Sequence, residues 1–87
     1  MCRVEENKWS IYVVECSDKQ LYCGISTDVV RRVTEHNFDD RRSAKFTRGR
    51  RPVRLVYHIP VGDHSSALSA ERKFKRLSRP EKRAVIH

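Results

Sequence analysis

Two short runs of strand-forming residues, Trp9 to Cys16 (WSIYVVEC) and Leu21 to Ser26 (LYCGIS), are separated only by Ser17-Asp18-Lys19-Gln20. No other feature of the sequence limits the fold as tightly. Both runs are rich in β-branched and aromatic side chains, and so short a connection reads as an antiparallel hairpin. Side chains alternate across a sheet, so Tyr12 and Tyr22 share a face only when an odd number of residues separates the paired strand ends. A three-residue loop, Ser17 to Lys19 with Cys16 opposite Gln20, sets Tyr12 across from Gly24 and leaves open space beside the phenol. A four-residue loop separates the tyrosines and brings Cys16 and Cys23 to one face instead. The odd loop is the expectation.

The chain has 87 residues, room for one lean hydrophobic core, and residues 1–87 are therefore read as a single domain. After the hairpin the pattern changes. Thr27 can cap a helix, Asp28 suits its positive start, and Val29, Val30 and Val33 form an apolar stripe that ends near Asn37. Phe38 to Arg51 has no sustained period and reads as a basic loop, punctuated by Gly49 and Pro52. Val53 to Ile59 (VRLVYHI) alternates as a third strand, which Pro60, Gly62 and Asp63 terminate. A second helix is expected from about Ser65 to Leu77. Ser78, with Pro80 and Glu81, resembles a capping box that opens a short last helix to about Ile86. The order β-β-α-β-α-α implies an α+β fold: a small three-stranded sheet with an antiparallel hairpin, flanked by helices.

Nineteen Lys and Arg against eleven Asp and Glu leave a net charge of +8, a large excess for so short a chain. A polyanionic partner is the natural inference. No apolar run approaches the ~18 residues of a membrane span, and no amphipathic helix carries a bulky aromatic face, so nucleic acid is favoured over a lipid surface. Cys2, Cys16 and Cys23 are odd in number and have neither CxxC nor zinc-site spacing, which reads as free thiols in a reducing cytosol. The N-terminal Met1-Cys2-Arg3-Val4-Glu5-Glu6 lacks the apolar stretch of a signal peptide, and the expected location is cytoplasmic.

Tyr12, Tyr22 and Arg32 stand at even ten-residue steps, the tyrosines in strand-like and the arginine in helix-like sequence. Hydrolysis of a phosphodiester needs a proton acceptor for water, a cation on the phosphoryl oxygens and usually a metal. Arg32 and His36 lie four apart on one helical face and reach toward the hairpin if that helix docks there; an Asp28–Arg32 surface pair is the plain alternative. On the second helix Ala67, Ala70, Phe74 and Leu77 form the apolar face, and Glu71 projects between Ala67 and Leu68. Arg72, Lys73, Lys75 and Arg76 take the outer arc. A carboxylate turned inward must meet a metal, a cleft, or a base such as Arg32.

These residues resemble the GIY-YIG endonucleases, and in particular their small stand-alone bacterial group, over nearly the whole chain. Ser10-Ile11-Tyr12 stands where the family has Gly-Ile-Tyr, and Tyr22-Cys23-Gly24 where it has Tyr-Ile-Gly. Thr27-Asp28-Val29-Val30-Arg31-Arg32-Val33 looks like the helix of the family's catalytic arginine, which the spacing assigns to Arg32, and His36-Asn37 is similar to the His-Asn that often closes it. Lys45 to Val53 (KFTRGRRPV) and Ala67 to Leu77, with Glu71 at the metal-ligand position, extend the match. Ser10 and Cys23 depart from the motif residues, and Arg83 stands where several nucleases of the family place an asparagine.

The resemblance, taken with the chemistry, implies hydrolysis of a DNA strand through one divalent ion, Mg²⁺ or Mn²⁺, held by Glu71, in a setting of DNA repair or recombination. Arg32 would neutralise charge growing on the phosphoryl oxygens, Tyr22 would take the proton from water, and Tyr12 and His36 would orient water or phosphate, with Tyr12 the alternative base. Arg41, Arg42, Lys45, Arg48, Arg50, Arg51 and Lys75 are the expected phosphate contacts. The partner is DNA, structured or branched forms included, with RNA also open. A nucleic-acid binding module that keeps the fold without turnover is the second reading, and a small adaptor using its basic face on a protein or ribosome is the third.

Overall fold

The computed structural model describes residues 8–86, so Cys2 and the reading that the N-terminus lacks a signal peptide lie outside the described residues. A hairpin opens the fold, β1 (Trp9–Glu15) and β2 (Leu21–Ser26). Its register sets Tyr12 opposite Gly24 and Val14 opposite Tyr22. The three-residue loop is what forms: the Cys16 amide donates to the Gln20 carbonyl at 2.8 Å, and Lys19 adopts φ 72°, the left-handed residue that such a loop requires. Both tyrosines therefore face the same side. The space expected beside the Tyr12 phenol is filled by that ring itself, which lies over Gly24.

Helix α1 (Val29–Phe38) begins at Asp28, whose side chain accepts from the Arg31 amide, so Asp28 rather than Thr27 is the cap. Of the expected valine stripe, Val29 and Val33 pack against the sheet, and Val30 stays exposed. The basic stretch that follows is not wholly irregular. It carries one helical turn, α2 (Lys45–Arg48), which short-range periodicity could not reveal in so charged a segment. Strand β3 (Arg54–Gly62) runs past Pro60 instead of ending before it. The sheet order β2-β1-β3 explains this: β3 is an outer strand, and Pro60 sits at an irregularity in its pairing with β1, where a missing amide hydrogen is tolerated.

Helix α3 (His64–Lys75) starts one residue earlier than its pattern indicated, because Asp63 both ends the strand connection and caps the helix through the Ser66 amide. The capping box before α4 (Arg79–Ile86) forms as expected, with the Ser78 amide on Glu81 Oε1 at 2.8 Å and the Glu81 amide on Ser78 Oγ at 3.3 Å.

Central strand β1 is buried on both faces. Tyr12, Val14 and Cys16 pack beneath α1, whereas Ile11 and Val13 meet Phe74 and Leu77 from the α3 side. Cys16 and Cys23 are buried free thiols. Among the described residues no helix is long and apolar enough to cross a membrane. The outer edge of β2 is thus left open between the two helical layers.

Candidate active site

Beneath α1 a polar cluster is built into the core. Tyr12 Oη lies 2.8 Å from His36 Nε2, and His36 Nδ1 lies 3.0 Å from Thr47 Oγ1 and 3.3 Å from the Ala44 amide nitrogen. Tyr12, His36 and Thr47 are all buried. Burial, followed by the Arg32 charge, holds the His36 imidazole down to about 4, so the ring is neutral in ordinary buffers. The Tyr12 phenol is pushed well above its ordinary value, chiefly by burial and then by Tyr22, with Arg32 opposing. Arg32 is half-buried. Its Nη1 donates to Glu35 Oε1 at 3.1 Å and to the Arg42 carbonyl at 2.6 Å, so its partner is Glu35 rather than Asp28.

Tyr22 sits at the mouth of this cluster. Its ring meets His36 edge-on at 5.4 Å between centroids and stacks on Phe46 at 5.7 Å, while the Arg50 guanidinium lies 4.1 Å from the Phe46 ring centroid. A cleft of about 240 Å³ opens here, lined by Leu21, Tyr22, Cys23, Phe46, Phe74, Lys75 and Lys82. Two strand residues of opposite orientation, Tyr22 and Cys23, share its wall. The cleft therefore wraps around the free edge of β2.

Glu71 comes from the opposite layer. It is largely buried, its Oε2 lies 3.2 Å from Lys75 Nζ, and it is close enough to Cys23 to help burial push that thiol up to about 12. The groups singled out in the sequence consequently occupy both sides of the sheet. Tyr12 and Tyr22 lie on the α1 side with Arg32 and His36 of that helix; Glu71 and Lys75 come from α3, and Tyr22 and Lys75 line the cleft at the β2 edge.

The family model of the GIY-YIG catalytic domain matches residues 8–84. The chain belongs to the GIY-YIG family. Among similar proteins, a UPF0213 protein of Desulfotalea psychrophila is 45% identical over 78 residues, covering 90% of this chain and 70% of the relative. A UPF0213 protein of Haloquadratum walsbyi is 49% identical over 75 residues, covering 86% and 82%. The solution NMR structure of the UPF0213 protein from Bacillus halodurans matches with a TM-score of 0.58 at 37% identity, over 91% of this chain and 82% of that one. The GIY-YIG domain is a nuclease-type fold, and nucleic acid is its class of substrate.

Seen as a GIY-YIG hairpin, the two halves of the motif are one device: the tyrosine of the first half lies across the glycine of the second. The basic segment is divided in its use. Arg51 donates to the His36 carbonyl at 2.7 Å, to Asp40 at 2.8 Å and to Ser43 Oγ at 3.2 Å, fastening the segment to the end of α1. Arg50 holds Asp18 and the Phe46 carbonyl, and Arg48 approaches Ser43 at 3.4 Å. Arg41, Arg42 and Lys45 present exposed side chains. Arg83 donates to Glu15 at 2.8 Å and to the Lys19 carbonyl at 2.7 Å, tying α4 to the hairpin. Sequence reasoning missed Thr47, the Ala44 amide and Lys82. A buried threonine and a backbone amide leave no mark in composition or periodicity, although Lys82, one turn into the last helix, could have been weighed with Lys75.

Proposed function

We propose that this GIY-YIG chain is a metal-dependent DNA endonuclease that hydrolyses phosphodiester bonds. The observation that carries this reading is a cleft at the β2 edge lined by both Tyr22 and Lys75, with the Tyr12–His36 pair packed behind Tyr22 and Glu71 paired to Lys75. Arg32, with Nη1 committed to Glu35 and the Arg42 carbonyl, offers the rest of its guanidinium to phosphoryl oxygens. Tyr22 takes the proton from the attacking water. A phenol serves as a base near neutrality only beside a cation, and Lys75 and Lys82 line the cleft with it. Tyr12 and His36 orient the water or the phosphate.

Glu71 would hold the divalent ion. Among the described residues no group of three or more His, Cys, Asp or Glu gathers around a point, so a cage of protein ligands alone is not built. One hard carboxylate nonetheless suits Mg²⁺ or Mn²⁺, which keeps water ligands and takes phosphate oxygens. The Lys75 ammonium already resting on Glu71 fits a position made for positive charge. When bound, such an ion polarises the scissile phosphate as a Lewis acid.

The test is cleavage of branched, nicked and linear DNA with and without Mg²⁺ or Mn²⁺. Cutting is expected to require the ion, to vanish in Glu71→Ala with binding retained, and to slow about 10²-fold or more in Tyr22→Phe. Equal cutting by wild type and both variants would expose a contaminant and end the nuclease reading. One observation favours a second reading, a DNA- or RNA-binding module without turnover: both Arg83 contacts are to the hairpin, at the position where several family nucleases carry an asparagine. That module binds with salt-sensitive affinity and never cuts.

A further inference from the structure

We infer that the Ala44 backbone amide fixes His36 as the tautomer protonated on Nε2, making the imidazole a hydrogen-bond donor to Tyr12 and barring it from receiving the Tyr12 proton. Three polar groups surround the His36 ring: Tyr12 Oη at 2.8 Å from Nε2, Thr47 Oγ1 at 3.0 Å from Nδ1, and the Ala44 nitrogen at 3.3 Å from Nδ1. Two of them are hydroxyls, which rotate to donate or accept as required. The amide is not adjustable. Its hydrogen points at Nδ1, so Nδ1 must carry the lone pair, and the ring proton of the neutral imidazole resides on Nε2.

The opposite tautomer runs Tyr12 to Nε2, Nδ1–H to Thr47 and Thr47 to the Ala44 carbonyl at 3.0 Å. It turns two N–H groups against each other in the core. It also adds a third donor to a carbonyl that already accepts from the Thr47 and Arg48 amides, at 3.1 Å each.

The consequence for the reaction, which rests on the nuclease reading above, concerns the two phenols. Tyr12 Oη accepts from His36 and has the Arg32 guanidinium beside it. Its own hydrogen is then not taken up by His36. With no acceptor behind it, Tyr12 cannot pass a proton inward and take another from water. Tyr12 is a donor, and the proton from water goes to Tyr22. Ala44 and His36 are positioning residues.

The deciding measurement is the ¹⁵N spectrum of the His36 imidazole in the full chain near neutral pH. A proton-bearing Nε2 and a bare Nδ1 are expected. Thr47→Val keeps the amide and should keep that pattern, with Thr47→Ser matching wild type. A bare Nε2 in the wild type, or inversion in Thr47→Val, overturns the inference. The expected tautomer in a chain that cuts no DNA would sink the nuclease reading alone.

Discussion

Gly24 shows how one missing side chain positions another. A Cβ at that position would stand 2.5 Å from Tyr12 Oη and 2.7 Å from its Cζ, so any residue larger than glycine must displace the phenol that His36 holds. Gly24→Ala is expected to destabilise the fold by about 1–3 kcal/mol in urea titrations and to disturb the Tyr12–His36 bond. His36 supports a second expectation. Its ring is held near 4 by burial and then by Arg32, whereas in the unfolded chain it titrates near its ordinary 6.5. Between those values the unfolded state binds a proton that the folded state refuses, so stability is full above the upper value and falls as pH drops toward the lower one, by about 3 kcal/mol. Denaturation midpoints at pH 7, 5.5 and 4 measure this, and His36→Gln should flatten the slope. The tyrosine–glycine crossing was legible in the sequence because pleat parity is arithmetic. The partners of His36 were not, since Thr47 and the Ala44 amide reach it across a segment with no periodicity to read.

At the level of elements, the stretch between α1 and β3 joins a scaffold to a positive surface. Charge alone could not separate the two uses: six arginines and lysines in a run look alike until their hydrogen bonds are drawn. Arg51, held by a carbonyl, a carboxylate and a hydroxyl, belongs to the scaffold. Arg51→Ala is expected to lower folding stability by about 1–3 kcal/mol, read from urea midpoints. Arg41→Ala and Lys45→Ala should leave the midpoint unmoved. Each should instead lessen the dependence of duplex affinity on salt by about 0.9 in the log–log slope, measured by anisotropy titration. The helix order and the capping box before α4 were readable because caps and apolar faces are local. The end of β3 was not, because whether Pro60 stops a strand depends on which strands flank it.

Over the whole molecule, Glu15 ties the end of β1 to β3 and to the last helix. It pairs with Arg54 and Arg83 at 2.8 Å each, and those hydrogen bonds, Arg83 foremost, hold its carboxyl down to about 2. A depressed carboxylate stabilises the fold above its ordinary 4.5 and loses that contribution as pH falls toward 2. This is a lower window than that of His36. Glu15→Gln should remove the acid-side transition and loosen α4, seen as faster amide exchange in residues 79–86. The chain's overall plan was visible from its order of patterns, whereas the side of the sheet from which Glu71 approaches was not, because it depends on how α3 packs against the strands. That arrangement has a consequence for solubility. A bare outer strand ordinarily invites another chain to add its own strand and start an aggregate. Here the cleft along β2 carries the ammonium groups of Lys75 and Lys82, so two copies of the protein repel where their β2 margins would zip together. Concentrated salt, by screening that repulsion, should promote self-association detectable by light scattering, and a bound oligonucleotide should prevent it.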